Sequence, residues 1–215
     1  FLACLSLSVS SDSFKFNNYN NHGIVGLINT PTARFFDEAV HGVTIYNSDE
    51  VQKITLSSNP YNWLEASFFY MNLPNVRLCR AYPGITPICE GYKDKGFNLK
   101  LRLKEEGIFP AVAIGLMDFA GTGRYSSEYI VTSYGIGKLD MHLGLGWGKL
   151  SGSSKQIKNP LSNLSSRFNE RSGSYAVQGG SLNPGKYFAG PKAAPFFGIS
   201  YSLNKSIMLK IEKDT

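Results

Sequence analysis

Three cations stand at every second position in one stretch of this chain: Lys100, Arg102 and Lys104, with Asn98 before them. On an extended strand alternate residues share a face, so these four form one polar row about 7 Å from one to the next. Such a row can hold an acidic polymer by weak repeated contacts, or it can simply be a solvated strand face. His142 extends the polar set in a later strand. The other histidines, His22 and His41, are far from it and from each other in sequence, and none has a neighbouring ligand at metal spacing. Gly121-Thr122-Gly123-Arg124 lacks the Lys-Ser/Thr of a phosphate loop. No Ser-His-Asp order stands out, so the reading is of a non-enzyme with no cofactor and no metal. Cys79 and Cys89 lie among Pro74, Pro83, Gly84 and Pro87. If bridged they close a small loop and imply an oxidising compartment. With no His or third Cys nearby, a metal pair is disfavoured.

The elements that carry these residues are strands. Phe97, Leu99, Leu101 and Leu103 alternate with the polar row. Val112, Ile114 and Leu116 alternate with Ala111, Ala113 and Gly115. Tyr129 and Val131 alternate with Glu128, Ile130 and Thr132. Leu139, Met141, Leu143, Leu145 and Trp147 alternate with Asp140, His142, Gly144, Gly146 and Gly148. Four strands of about ten residues joined by short breaks make an antiparallel meander, and that length with dyad alternation suits a transmembrane barrel.

Earlier in the chain, Val40–Asn47 and Val51–Ser57 read as a hairpin, Asn59-Pro60-Tyr61-Asn62 as a turn, and Trp63–Asn72 as a third strand. Tyr61, Trp63, Phe69 and Tyr70 are candidates for an interfacial aromatic girdle, with ordinary core aromatics as the equal alternative. Residues 194–203 and 207–211 resume the alternation, giving about nine strands. Connections after the second, fourth, sixth and eighth are short, and those after the third and seventh are long. Outer-membrane barrels have this asymmetry, with the long loops outside, whereas a β-sandwich has no reason to. The expected fold is therefore all-β: an antiparallel transmembrane (outer-membrane) β-barrel, a fragment of a larger one.

Composition agrees. The 215 residues carry only 18% charged side chains but 22 Gly, 12 Tyr and 14 Phe. Mean hydropathy of −0.15 leaves no room for a helical membrane protein. The formal charge of +6 is scattered and accompanies no nucleic-acid motif, so nucleic acid is not an expected partner. Residues 1–11 read as the remnant of a signal peptide for export. Cys4 is a candidate lipid acceptor, although the apolar run continues past it through Leu5, Leu7 and Val9. Residues 12–39 read as an N-terminal linker and an extended segment set against a barrel end or inside its lumen, with Arg34 either its charged anchor or, equally, an ordinary surface arginine. Residues 40–215 form the barrel portion, with long loops at 73–95 and 150–192.

Four stretches taken together resemble the YjbH family of exopolysaccharide (capsule-type) biosynthesis proteins. They are Gly26-Leu27-Ile28-Asn29-Thr30-Pro31-Thr32-Ala33-Arg34; Tyr92-Lys93-Asp94-Lys95-Gly96-Phe97-Asn98-Leu99-Lys100; Pro110 to Gly123 with Ser127-Glu128-Tyr129; and Leu143-Gly144-Leu145-Gly146-Trp147-Gly148. The resemblance implies a Gram-negative outer-membrane barrel that serves polysaccharide export. Its implied partners are outer-membrane lipid, the secreted polysaccharide, and periplasmic or outer-membrane components of an export machinery. It carries over no catalytic residues. The alternatives are a general porin and a soluble carbohydrate-binding β-sandwich. On the barrel reading Asn98, Lys100, Arg102, Lys104 and His142 face the lumen, Leu99, Leu101, Leu143 and Leu145 face lipid, and Cys79 and Cys89 are bridged on the extracellular side.

Overall fold

A computed structural model describes residues 17–82, 85–152, 155–171 and 182–215. Residues 1–11 and Cys4 lie outside that set. Ten strands form one antiparallel system: β1 (Val40–Asn47), β2 (Gln52–Tyr61), β3 (Leu64–Tyr82), β4 (Ile85–Lys104), β5 (Ala111–Met117), β6 (Ser127–Ile136), β7 (Leu139–Gly148), β8 (Ile157–Lys158), β9 (Lys192–Ser202) and β10 (Met208–Lys213). The order is β1-β2-β3-β4-β5-β6-β7-β9-β10, with the two-residue β8 paired to β9. Among the described residues β1 and β10 remain edges, so the sheet is open rather than a closed barrel.

The sheet turns its polar face inward. Along β3 Glu65, Ser67 and Phe69 are buried while Tyr70 is exposed; along β4 Asn98 and Lys100 are buried while Phe97 is exposed. In β7 His142 and Gly144 are buried and Leu143 is 59% exposed. Val43, Ile45, Leu56, Ile199, Leu209 and Ile211 continue the outward apolar surface across both edges. Alternation fixes which residues share a face. In β6 it is Tyr129 and Val131 that point inward, onto a core with Ile24, Phe35, Ala113 and Phe196. Trp147 departs from the outward set of β7. It is buried, and its indole N–H donates to Asn159 at 2.9 Å.

Residues 17–36 occupy the inner face. Val25 N–H donates to Glu65 of β3 at 2.7 Å, while the carbonyl of the next residue, Gly26, accepts from Lys210 of β10 at 3.2 Å. In a flat sheet β3 and β10, six steps apart in strand order, would be separated by about 29 Å. Two adjacent residues, about 3.8 Å apart, can touch both only if the sheet curls around them. The segment is held compact by Asn20. Its Oδ1 accepts from His22 N and Ile24 N, and its Nδ2 donates to Asn29 O. Gly26 is required in that turn, because a Cβ there would lie 2.4 Å from Thr30 O.

Three boundaries differ from the sequence reading. β2 runs on through Pro60 to Tyr61, across an irregularity between Ser58 and Tyr61, so the turn shrinks to Asn62-Trp63. The described residues of 73–95 are strand rather than loop. They form the outer part of the β3–β4 hairpin, with register shifts at Leu73/Arg77 and Arg80/Tyr82. Asn75, Val76 and Arg77 in a row are exposed there, so no buried face imposes an alternating pattern and the strand is hard to read from sequence. The described parts of 150–192 are 3-10 turns and β8, packed against the sheet end. Of the four girdle candidates Tyr61, Trp63 and Tyr70 are exposed, and Tyr61 and Trp63 stack at 5.5 Å, but Phe69 is buried.

Candidate functional site

The inner face divides into a seat for residues 17–36 and an adjoining cavity. The seat is built from charge. Lys100 is 0% exposed, 2.6 Å from Glu65, and its ammonium donates to Val25 O and Arg34 O at 3.2 and 2.8 Å. The Phe35 ring covers it at 4.5 Å. Arg34 forms a two-pronged pair with Asp140, at 2.8 and 2.5 Å, and also pairs with Glu106. His142 Nδ1 meets Ser133 Oγ at 2.8 Å, and the same Oγ accepts from Ala33 N–H. Glu212 of β10 accepts from the backbone N–H of Ile28, Asn29 and Thr30 and from the Thr30 hydroxyl. Nearly every charged group here answers a backbone polar atom or an opposite charge, as burial demands.

This corrects the reading of the cationic row. Asn98, Lys100 and His142 are inward, as alternation requires, but Lys100 faces protein rather than water. Its charge is used up on Glu65 and two carbonyls. Arg102 stacks on Phe35 at 4.7 Å and pairs with Glu105. Lys104 follows a register shift in β4, is exposed, and sits over Phe109. The three cations therefore have three different environments, because the N-terminal segment covers the first and reaches only the edge of the second. Cys79 and Cys89 are bridged, directly opposite each other across β3 and β4.

The cavity lies at the other end of the inner face and has a volume of about 270 Å³. Its walls include Lys53, Phe69 and Asn98 from β2, β3 and β4, Asp118 and Tyr125 from the β5–β6 loop, and Lys149. Asn98 Oδ1 accepts from Asp118 N–H and its amide donates to Ser67, so β3, β4 and the loop are tied together. Asp118 is 2% exposed. Its Oδ2 accepts from Tyr125 N–H at 3.1 Å and its Oδ1 has no hydrogen-bond partner. Gly96 and Gly121 make room for Oδ1: a Cβ on either would fall 2.4 or 1.9 Å from it. Burial, then the neighbouring Asp94 carboxylate, push the Asp118 carboxyl up to about 7, against the pull of the Tyr125 and Gly123 N–H groups and the Lys53 charge. Burial and the nearby Lys53 charge push the His22 imidazole down to about 3, so it is neutral. Lys53 lies over the Phe69 ring at 4.4 Å and makes no hydrogen bond or ion pair among the described residues.

The segment after β7 closes this end. Buried Asn159 donates to the carbonyls of Phe168, Phe188 and Gly190 and accepts from Trp147 and Leu161. Arg171 pairs with buried Glu128 at 2.7 Å and donates to Ser126 and to Lys186 O. Sequence reasoning missed Glu65, Asn159 and Arg171 because none belongs to a local pattern. Glu65 meets Lys100, Arg171 meets Glu128, and Asn159 joins Trp147 to Phe188 and Gly190.

The arrangement also accounts for the four stretches singled out in the sequence. Gly26–Arg34 lies within the seated segment and carries its contacts to Lys100, Asp140 and Glu212. Asp94 accepts from Thr122 and Gly96 gives space to Asp118, so the second stretch supports the loop in the third. Gly144 passes beneath Phe196 and Gly146 beneath Leu150.

Comparison with known proteins agrees with this reading. A family model described as exopolysaccharide biosynthesis protein, YjbH, matches residues 18–215. A curated Escherichia coli (strain K12) protein, called an uncharacterized lipoprotein YjbH, is 38% identical over 197 residues, covering 90% of this chain and 27% of its own length. The chain thus spans about a quarter of that relative. No solved structure matches significantly.

Proposed function

The chain belongs to the YjbH exopolysaccharide biosynthesis family, and on that premise we propose that it is the plugged portion of an outer-membrane β-barrel through which an exopolysaccharide is exported. The observation that carries the reading is the inverted sheet. Its apolar residues point outward and stay exposed, among them Ile45 at 77% and Ile211 at 67%, while Glu65, Lys100 and His142 point inward. A soluble sandwich buries its apolar face against a second sheet. A barrel in lipid does the opposite. The connections support the same reading. The β3–β4 extension, the loop at 118–126 and the described parts of 149–191 gather at one end, while β2–β3, β4–β5, β6–β7 and β9–β10 turn tightly at the other.

The role is non-catalytic. Its partners are outer-membrane lipid, the secreted polysaccharide and other components of the export machinery. The relative called a lipoprotein supports Cys4 as the acceptor of a lipid anchor. A general porin fits less well, since residues 17–36 fill much of the inner face that solutes would use. In the export reading the polymer passes when that segment shifts.

The test is fractionation of the full-length protein from a Gram-negative host, followed by electrophoresis with and without boiling. Outer-membrane recovery with faster migration of the unboiled protein is expected. Recovery in the soluble periplasm with one mobility would overturn the barrel.

A further inference from the structure

On the outward face of β1 to β4 the side chains change from apolar to polar toward the end that carries the long connections. Cross-strand pairing sorts them into rows. Val43, Leu56, Phe68 and Phe97 form the first, which is apolar throughout. Ile45, Ile54 and Tyr70 form the second, which ends on Lys95. Asn47, Gln52 and Asn72 form the third, which ends on Lys93. A groove of about 470 Å³ is lined by the second and third rows, with Lys93 on its β4 side. Alternate residues of a strand are about 7 Å apart, so the long side chains of Lys93 and Lys95 can share one anion. Both residues are exposed, and their ammonium groups make no hydrogen bond or ion pair among the described residues. Asn72 donates to Gln52 Oε1 at 2.9 Å, which leaves Gln52 Nε2 and the Asn47 amide open. Asp49 and Glu50 are exposed at the β1–β2 turn, so repulsion there directs an anion toward β4.

We propose that this groove binds a phosphorylated, acylated sugar lipid of the outer leaflet. The rows match the parts of such a molecule. Its acyl chains lie along the first row and on Ile45, Ile54 and Tyr70, which are 77%, 43% and 43% exposed and have no protein covering them among the described residues. Its phosphate accepts from Lys93 and Lys95, and charge-assisted bonds of this kind are stronger than neutral ones. Its sugar hydroxyls both donate and accept, as do the amides of Asn47, Gln52 and Asn72. A phospholipid with one small headgroup satisfies the lysines and the apolar rows but spans fewer of the three amides. The position agrees with this occupant. Barrels in the outer membrane keep short turns in the periplasm and long loops outside, and the groove lies beside the β3–β4 extension at the end of the long connections.

This deepens the export reading and rests on it for the membrane and its orientation. The experiment is native mass spectrometry and calorimetric titration of the full-length protein in detergent micelles, with lipid A, phosphatidylglycerol and inorganic phosphate as probes. Lipid A should bind at least tenfold more tightly than phosphatidylglycerol, and less tightly as salt is raised. Lys93→Gln with Lys95→Gln should weaken lipid A binding at least tenfold. Gln52→Ala should weaken lipid A and leave phosphatidylglycerol unchanged. Lys138→Gln, at the β6–β7 turn of the opposite end, should change neither. Boiling-dependent mobility reports whether each variant is folded. Equal binding of phosphatidylglycerol would overturn the sugar-lipid assignment. Displacement of lipid A by inorganic phosphate would leave a site for a free anion and overturn the lipid. Undiminished lipid A binding by the folded double variant would overturn the site. An outer-membrane protein that binds no lipid A fails this inference alone. A protein recovered in the soluble periplasm fails the barrel reading, and this inference falls with it.

Discussion

Lys100 shows how far burial changes what one residue can do. On a wet strand face its replacement by Gln would be harmless. Here it is enclosed by Glu65, Phe35 and two carbonyls of the seated segment. Removing one member of such a pair leaves a buried charge without its partner and costs about 3–5 kcal/mol. Lys100→Gln is therefore expected to lower the denaturation midpoint sharply. The double variant Glu65→Gln with Lys100→Met should recover much of the loss, and a double-mutant cycle in denaturant measures both. Asp118 gives a pH signature of the opposite kind from an ion-paired carboxylate. Its pKa rises from 3.8 to about 7 on folding, so the folded protein holds a proton that the unfolded chain releases. That contribution is fully present below about pH 4 and is lost as pH rises to about 7. Asp118→Asn keeps the shape without the charge. It should raise the melting temperature relative to the parent at pH 8 and have little effect at pH 4.

At the scale of elements, the segment 17–36 occupies the inner face of the sheet. It touches β2, β3, β4, β6, β7 and β10 through hydrogen bonds, and its contacts are mostly between charged side chains and backbone. Such contacts are specific in geometry, and Ile24, Ala33 and Phe35 add an apolar core with Ala113, Tyr129, Val131 and Phe196 that the segment would have to give up in order to move. Ala33 N–H lies 2.9 Å from Ser133 Oγ, so Ala33→Cys with Ser133→Cys places two thiols within reach of each other. Oxidising that pair should tether the segment to β6 and reduce surface polysaccharide, and reductant should restore it. Export that continues unchanged with the cross-link formed would mean that the segment is a static filler. The β3–β4 extension behaves differently. Its disulfide joins directly opposed residues of a hairpin that already pairs over much of its length. Cys79→Ser with Cys89→Ser should leave assembly of the sheet intact and make only residues near the hairpin tip more susceptible to protease.

For the whole molecule the outward surface decides the environment. An outer face bearing Ile45, Leu143, Ile199, Leu209 and Ile211 is stable in lipid and aggregation-prone in water. Leu143→Arg should impair assembly into the outer membrane, since an Arg near the bilayer midplane costs roughly 2–4 kcal/mol. Lys104→Leu, on an exposed residue beyond the β4 register shift, should assemble normally. Heat-shift electrophoresis of the two variants compares them, and equal assembly would count against a lipid-facing sheet. The edges β1 and β10 are the remaining feature at this scale. Their outward residues are as apolar as those of central strands, among them Val43 in β1 and Leu209 in β10.

The periodicity of the chain was enough to establish nine long strands, the pairing of neighbours and the composition of each face, because side chains on a strand alternate whatever surrounds them. Residue types and spacing offered Arg34 as an anchor, with a surface arginine as the equal alternative, and Cys79 and Cys89 as a pair. Periodicity did not establish which polar residues meet water. Lys100 and Lys104 share a sequence pattern, yet one is enclosed and the other exposed. The difference arises from a segment more than sixty residues earlier that folds back onto β4, and no local spacing encodes such a return. Asp118 and Lys53 likewise look like unremarkable surface charges in the sequence. Curling of the sheet brings β2 and the β5–β6 loop to a common cavity, where Asp118 is buried while Lys53 keeps part of its surface exposed. Faces follow from the geometry of one strand, whereas burial and partnership follow from how distant strands curve around one another.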